Sequence, residues 1–258
     1  DQRMSRGLGD VYKRQVSYLF NSIRMELMTF SKELKEATKV SHSAAENTKF
    51  VAGFLRGVVD PEDYRKLIAN FWYVYSTMER LIHDADDPTV KVLQGWQWQL
   101  DRKEALEKDL LYYYGPYWKE QIGPSPACDT YCFRLSELAQ QDPYLLLAHH
   151  YTRYIGDLSG GQILCKIAKS ALNPPAGEGL NFYEFPDIPD AKEWKTNYRA
   201  ILDVLNLNQS QKNAIFAEAN YAFRLNMYMF DEIKSEDPYP ALTALKGFWK
   251  VITGSITN

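Results

Sequence analysis

Three glycines interrupt a stretch that the surrounding residues predict to be one long helix. Apolar residues recur at helical spacing on both sides of the segment Tyr151–Gln162, which contains Gly156, Gly160 and Gly161. Each glycine costs about 1 kcal/mol relative to alanine inside a helix. Glycine also permits a kink and lets a neighbour approach the bare backbone closely. The segment therefore predicts a kinked helix with a neighbour lying against its backbone.

The neighbour is either a ligand or another helix. Gly156 and Gly160 are four residues apart and therefore share one helix face. Tyr151, Arg153 and Asp157 flank that face, which suits a large planar ligand. Small residues at this spacing also serve close helix–helix packing. The spacing alone leaves both interpretations open.

The rest of the chain predicts an all-α fold. The clearest helical periodicity runs from Tyr64 to Ile82 and follows a start signal at Asp60-Pro61. Capping boxes at Asp101 with Glu104 and at Asp190 with Glu193 predict two further starts. The predicted helices cover residues 30–50, 61–82, 101–114, 126–141, 143–172, 190–205 and 210–234. Without strand-like alternation or repeats, this pattern indicates a single irregular multi-helix domain of about eight helices.

Composition narrows the class of protein. A net charge of −3 over 258 residues gives no reason to expect a nucleic-acid partner. Cys128, Cys132 and Cys165 form no CxxC pair, which is typical of free thiols in a reducing compartment. No apolar run approaches the ~20 residues that span a bilayer, so we expect no membrane anchor. Residues 1–29 predict a tail, whether disordered, a targeting remnant or non-native, before a domain at 30–258.

His42 is the histidine best placed to bind a metal. Glu46 lies one helical turn later, where a carboxylate can orient the imidazole. His83 is expected at a solvated helix end, and His149 and His150 are adjacent, so at most one of them is expected to face the core. An ordinary surface pair is the alternative for His42 and Glu46. One protein ligand suffices where a cofactor such as a porphyrin supplies the others.

Candidate cations for a ligand's acidic groups lie on two predicted helices. Lys195 and Arg199 are one turn apart, and Lys35 lies two turns before His42 on the same face. A solvated basic surface is the alternative interpretation.

Together these segments resemble the biliverdin-producing heme oxygenases. Tyr151–Gln162 is similar to the family's signature, and the resemblance extends over residues 31–235. Thr38–Asn47, Tyr112–Gly115 and Phe182–Ile188 are most similar to the cyanobacterial and algal plastid branch. The resemblance implies heme sandwiched between a proximal helix and a glycine-kinked distal helix.

The resemblance also implies a role for individual residues. His42 would be the proximal ligand of the heme iron, with Glu46 as its hydrogen-bond partner, and Gly156 and Gly160 would lie over the distal face. The residues implied to bind the heme carboxylates are Lys35, Tyr151, Lys195 and Arg199. Those implied to line the pocket are Thr38, Phe223 and Phe230. Those implied to organise a distal water network are Asp157, Arg153, Tyr75, Tyr131 and Asn226.

The implied activity is oxidative cleavage of heme b, which is both cofactor and substrate. The products would be biliverdin IXα, CO and ferrous iron, with O2 as co-substrate. The electron-donor protein would be ferredoxin or a flavin reductase, and the enzyme would be soluble, in the plastid stroma or cytoplasm. Two alternatives remain: a non-catalytic heme-binding or heme-buffering protein of this fold, and a thiaminase-like helical enzyme that binds another flat heterocycle.

Overall fold

A computed structural model of the chain describes residues 28–233, and every regular element in that range is helical. The α-helices are α1 (Phe30–Glu46), α2 (Lys49–Leu55), α3 (Pro61–His83), α4 (Pro88–Gln94), α5 (Gln97–Leu100), α6 (Lys103–Tyr114), α7 (Trp118–Gln121), α8 (Pro126–Gln141), α9 (Leu146–Gly156), α10 (Gln162–Leu172), α11 (Ala191–Asp203) and α12 (Gln209–Glu232). Eight of them have eleven or more residues. The predicted all-α fold is confirmed. Most of the predicted tail and the end of the predicted domain lie outside the described residues.

Local side-chain caps start several helices where the sequence predicts them. The Asp60 carboxylate accepts from the backbone N–H groups of Glu62 and Asp63 at the start of α3. Asp190 accepts in the same way at α11, and the Ser125 hydroxyl accepts from the N–H of Cys128 at α8. These caps satisfy N–H groups that have no partner within the helix.

The predicted capping box at Asp101 is wrong. α6 begins at Lys103 and has no side-chain cap of its own. Glu79 on α3 instead accepts from the backbone N–H groups of Arg102, at 2.6 Å, and Lys103, at 3.2 Å. A carboxylate from a distant part of the chain therefore takes the place of the local cap.

Two predicted helices are divided in the structure. The first ends at Glu46, and α2 starts after Thr48, whose hydroxyl accepts from the N–H of Val51. The predicted helix 143–172 begins instead as a 3₁₀ turn, Pro143–Leu145, without a cap from the Asp142 side chain. A capping box at Asn208, which the sequence analysis did not predict, opens α12.

Helix α9 lies in the core and is surrounded by other helices. α12 packs against α1, α8 and α9, and α3 packs against α6 and α8. Nine of the eleven residues of α9 are buried, so the expectation that at most one of His149 and His150 faces the core is wrong. Because other helices surround α9, adjacent residues that point in different directions from it are both enclosed.

A loop and a helix end complete the described fold. The apolar part of the 173–190 loop packs inward, with Phe182 and Tyr183 buried. His83 is the last residue of α3 and its side chain is 82% exposed, as expected. Within residues 28–233, no helix is both long and apolar enough to span a membrane.

Candidate functional site

The glycine segment forms a single π-helical turn, Asp157–Gly161, between α9 and α10. The interruption lies where the sequence predicts it. π-Turns within helices occur frequently at functional sites. The Gln162 amide supports this one by donating to the backbone oxygen of Tyr183 at 2.9 Å. Lys195 on α11 donates to the Leu158 carbonyl at 2.9 Å and to the Ser159 hydroxyl at 2.8 Å.

The three glycines do two different things. A Cβ placed on Gly156 or Gly160 would meet no other group within 4 Å, so both glycines border open space. A Cβ on Gly161 would lie 3.6 Å from the Gly156 carbonyl oxygen and 3.8 Å from the Tyr183 ring. Gly161 thus faces the protein interior at ordinary van der Waals distances, while Gly156 and Gly160 leave bare backbone available to a ligand.

A buried carboxylate begins the π-turn beside the open glycines. The Asp157 side chain accepts a hydrogen bond from the Tyr75 hydroxyl. Arg153 Nε donates to the same hydroxyl at 2.9 Å, and its guanidinium lies over the Phe71 ring at 4.4 Å. Burial raises the pKa of Asp157, while the positive charge of Arg153 acts in the opposite direction. This cluster of side chains therefore combines a carboxyl group of increased proton affinity, Asp157, with a cation held in place, Arg153.

The network continues away from the π-turn. Arg153 donates to the Asn226 side-chain oxygen, and Asn226 hydrogen-bonds the Tyr131 hydroxyl. Tyr131 Oη lies 3.1 Å from His149 Nδ1. The structure thus brings the predicted residues Asp157, Tyr75, Arg153, Asn226 and Tyr131 into one buried hydrogen-bonded network.

The outer part of this network was not predicted from the sequence. His149 Nε2 lies 3.0 Å from Glu218 on α12, and Arg134 on α8 forms an ion pair with Glu218 at 2.7 Å. Burial acts to raise the pKa of Glu218, but hydrogen bonds from His149 and Arg134 lower it to about 2. These partners are 69 and 84 residues apart in sequence, and no local pattern links them.

His42 lies on α1 with its side chain 57% exposed. Its Nδ1 is 3.8 Å from Glu46 Oε2, which is ion-pair range but too long for a hydrogen bond. The expected direct hydrogen bond to Glu46 is therefore absent, because both side chains extend into solvent. The edge of the His42 ring contacts Phe223 at 5.7 Å between centroids. This imidazole is open to an incoming ligand.

The other predicted pocket residues extend along α1 and α12. Thr38 is buried, and its hydroxyl donates to the Leu34 carbonyl of its own helix at 2.9 Å. Lys35 is exposed on α1. Phe230, two turns beyond Phe223 on α12, stacks on Phe50 at 5.7 Å. These residues supply apolar surface along α1 and α12, and within residues 28–233 Lys35 forms no ion pair.

The predicted cations on α11 are close to each other, and Arg199 is also close to Tyr151. Burial lowers the pKa of Lys195, and the charge of Arg199 lowers it further. Burial raises the pKa of Tyr151, and Arg199 opposes that shift. Among residues 28–233 neither cation forms an ion pair with a carboxylate. Their uncompensated charge suits a ligand that carries carboxylates.

α11 connects the two walls of the site. It packs against α1, which carries His42, and against the π-turn, which carries the open glycines. Its cations therefore lie between a helix with an available imidazole and a turn with a bare backbone. The chemistry of these groups fits a flat, metal-containing ligand with carboxylate substituents.

The fold and this site define an all-α protein that accommodates a flat anionic ligand beside a π-turn. Comparison with known families gives the same class. The sequence model described as heme oxygenase matches residues 28–232. The chain belongs to the heme oxygenase family.

Individual relatives place the chain within that family. It is similar to heme oxygenase of the red alga Rhodella violacea, with 49% identity over 79% of this chain and 86% of the relative. It is also similar to heme oxygenase 1 of a Nostoc species, with 49% identity over 78% of this chain and 84% of the relative. The predicted resemblance to the cyanobacterial and algal branch is confirmed.

Solved structures of heme oxygenases are also similar to this chain. Heme oxygenase-1 of a Synechocystis species in complex with heme has a TM-score of 0.76 and 42% identity, over 89% of this chain and all of that one. Heme oxygenase-2 from the same genus, in complex with heme and NO, has a TM-score of 0.79 and 39% identity, over 84% of this chain and 93% of that one.

Proposed function

We propose that this chain binds heme b and cleaves it oxidatively to biliverdin IXα, CO and ferrous iron, with O2 as co-substrate. The observation that carries this proposal is the open backbone at Gly156 and Gly160 directly beside the buried Asp157–Tyr75 pair. A flat substrate lying on that backbone has a carboxyl group next to it. The chain's similarity to a relative solved in complex with heme supports heme as the substrate.

The residues of α1, α11 and α12 bind and orient the substrate. The exposed imidazole of His42 ligates the iron, and the negative charge of Glu46, 3.8 Å away, favours the orientation of the imidazole. Phe223, Phe230 and Thr38 enclose the ring. The heme carboxylates are bound by Lys35, Tyr151, Lys195 and Arg199. Together, the iron ligand and the carboxylate contacts fix which edge of the heme ring points inward.

The π-turn supplies the rest of the chemistry. Bound heme supplies an iron centre that activates O2. Gly156 and Gly160 have no side chains, so only their backbone crowds the space above the heme ring. This backbone restricts the O2 that reacts there to one edge of the ring. Asp157, held by Tyr75 and connected through it to Arg153, Asn226 and Tyr131, orders water and delivers protons through it.

Electrons come from a separate donor protein. Ferredoxin is the proposed donor, because the relatives are enzymes of red algae and cyanobacteria; a flavin reductase is the alternative. The same relationship supports the plastid stroma or the cytoplasm as the compartment.

A titration with hemin followed by reduction tests the proposal. Hemin added to the purified chain is expected to give a Soret band shifted from that of free hemin. Ascorbate or reduced ferredoxin in air then converts this band to biliverdin absorption and releases CO. A complex that forms but never turns over supports the heme-buffering alternative. The absence of any Soret shift contradicts both functions.

A further inference from the structure

A buried hydrogen bond joins α9 to α11 directly behind the residues proposed to bind the heme carboxylates. His150 Nδ1 on α9 lies 2.8 Å from the Tyr198 hydroxyl on α11. His150 is next in sequence to Tyr151, and Tyr198 is next to Arg199. The bond therefore joins the neighbours in sequence of two residues proposed to bind the heme carboxylates, Tyr151 and Arg199.

Stacked rings extend this connection along α11. The His150 ring stacks on Tyr198 at 5.5 Å, with 20° between planes, and Tyr198 stacks on Trp194 at 5.1 Å, with 15° between planes. Lys195 follows Trp194 in sequence just as Arg199 follows Tyr198. Because each cation adjoins a ring of the stack, any rotation of α11 that moves the rings also moves both cations.

Packing alone does not account for a histidine at position 150. Its Nε2 is buried and has no hydrogen-bond partner among the described residues. A buried polar atom without a partner costs roughly 1–3 kcal/mol, and an apolar ring of similar size would avoid that cost. Burial also keeps the imidazole neutral, because it lowers the pKa of His150 to about 3. What the histidine supplies, at this cost, is the bond to Tyr198.

We propose that His150 is a positioning residue for the regiochemistry of heme cleavage. Through Tyr198 it fixes the rotation of α11, so that Lys195 and Arg199 meet the heme carboxylates in a single in-plane orientation. One edge of the ring then faces Asp157. This inference rests on the proposed function. Loss of the bond lets α11 rotate and lets heme bind in more than one orientation.

Four variants test the proposal. Tyr198→Phe and His150→Phe each break the bond and keep an aromatic ring in the stack. The double variant removes both polar groups. Tyr113→Phe is the matched control, because it also loses one tyrosine hydroxyl hydrogen bond, to the Gly179 carbonyl at 3.1 Å, away from α9 and α11. Three quantities are measured for each: the biliverdin isomers formed, the heme-methyl proton resonances of the ferric cyanide complex, and the melting temperature.

The expected result separates orientation from stability. Each single variant lowers the ratio of the main isomer to the others by about tenfold, equivalent to about 1.4 kcal/mol, and shows a second set of heme-methyl resonances. The double variant regains melting temperature, because no polar group is left unpaired, but its isomer ratio stays low. Tyr113→Phe keeps the wild-type ratio.

Three results would overturn the inference. The first is a single isomer and a single set of resonances in all variants. The second is an isomer ratio that recovers with melting temperature in the double variant, which indicates a purely structural role. The third is an equal loss of ratio in Tyr113→Phe. If wild type binds heme but forms no biliverdin, the proposed function fails, and the heme-methyl resonances still decide the inference.

Discussion

The hydroxyl of Tyr75 on α3 donates a hydrogen bond to the carboxylate of Asp157, the first residue of the π-turn. Arg153 donates to the same hydroxyl rather than forming an ion pair with the carboxylate. Asp157 is thus fixed in place by a neutral donor, and burial raises its pKa. A carboxyl group in this setting keeps its proton affinity and does not become a permanently ionised partner of arginine.

Replacing Asp157 with asparagine should separate binding from cleavage. Asparagine keeps the shape and still accepts from Tyr75, but it cannot exchange a proton. We expect the hemin affinity to be unchanged and the rate of biliverdin formation to fall by about a hundredfold or more. Soret titration and single-turnover absorbance measure the two quantities. Asp84→Asn, at an exposed helix end, is the control, and full activity in Asp157→Asn would refute the assigned role.

Removal of His42 should abolish iron ligation without affecting the fold. The side chain is largely exposed and makes no hydrogen bond among the described residues, so His42→Ala should keep the wild-type melting temperature. Its hemin complex should lack the spectrum of an imidazole-ligated iron, and turnover should stop. Added imidazole should restore both, because it can occupy the space left by the side chain.

His83→Ala is the matched control for His42→Ala, since it removes another exposed helical histidine. It should behave as wild type. A normal imidazole-type spectrum in His42→Ala without added imidazole would show that another residue ligates the iron.

Adding a methyl group at Gly160 should leave the protein at least as stable as wild type and weaken substrate binding. The new Cβ meets no protein group within 4 Å, and alanine is favoured over glycine in a helix by up to about 1 kcal/mol. The melting temperature should therefore stay the same or rise. The hemin affinity should fall by about tenfold or more, because the methyl occupies space that the ring needs.

Gly53→Ala provides the comparison for Gly160→Ala. Gly53 lies inside α2, where a Cβ would meet only the Val58 carbonyl, at 3.9 Å, so the same helix preference applies away from the π-turn. Its hemin affinity should not change. Wild-type affinity in Gly160→Ala would mean that the ring does not lie on this backbone.

Local patterns predict much of the fold. Asp60, Ser125 and Asp190 cap helices from within their own segments, and the glycines mark the interrupted turn. Asp101 does not cap α6 as its local pattern predicts, because Glu79 approaches from another helix and no residue near Asp101 in sequence indicates that contact. Helix propensity and capping patterns depend on residues that are close in sequence. Tertiary contacts, which those patterns do not contain, decide which side chain caps the helix.

The candidate site shows the same division. Gly156 and Gly160 could be placed on one face from spacing, but spacing did not distinguish a ligand from packing. Only the resemblance linked Tyr75 to Asp157, since 82 residues separate them. Neither the residue spacing nor the resemblance predicted the contact between His149 and Glu218. Their pairing depends on the position of α12 beside α9, which the sequence pattern does not specify.

Glu79 should make the stability of the fold depend on pH. Glu79 is 5% exposed, and its carboxyl group accepts hydrogen bonds from two backbone N–H groups and from the Tyr154 hydroxyl. Burial, and then the charge of Asp101, raises its pKa from 4.5 to about 8. Because the folded pKa exceeds the unfolded one, its contribution is complete below pH 4.5 and is lost as pH rises through 8.

Glu79→Gln removes this titration while keeping one acceptor oxygen for the start of α6. Denaturant unfolding from pH 4.5 to 9 should therefore show that the stability of wild type relative to the variant declines with rising pH, by at most about 5 kcal/mol at 1.36 kcal/mol per pKa unit. Glu104→Gln, at an exposed position in the first turn of α6, should follow wild type. Parallel curves for wild type and Glu79→Gln would mean that Glu79 is ionised in the folded protein throughout this range. The Tyr154 hydroxyl and the start of α6 would then be held by a carboxylate, and the pKa of Glu79 would not be raised.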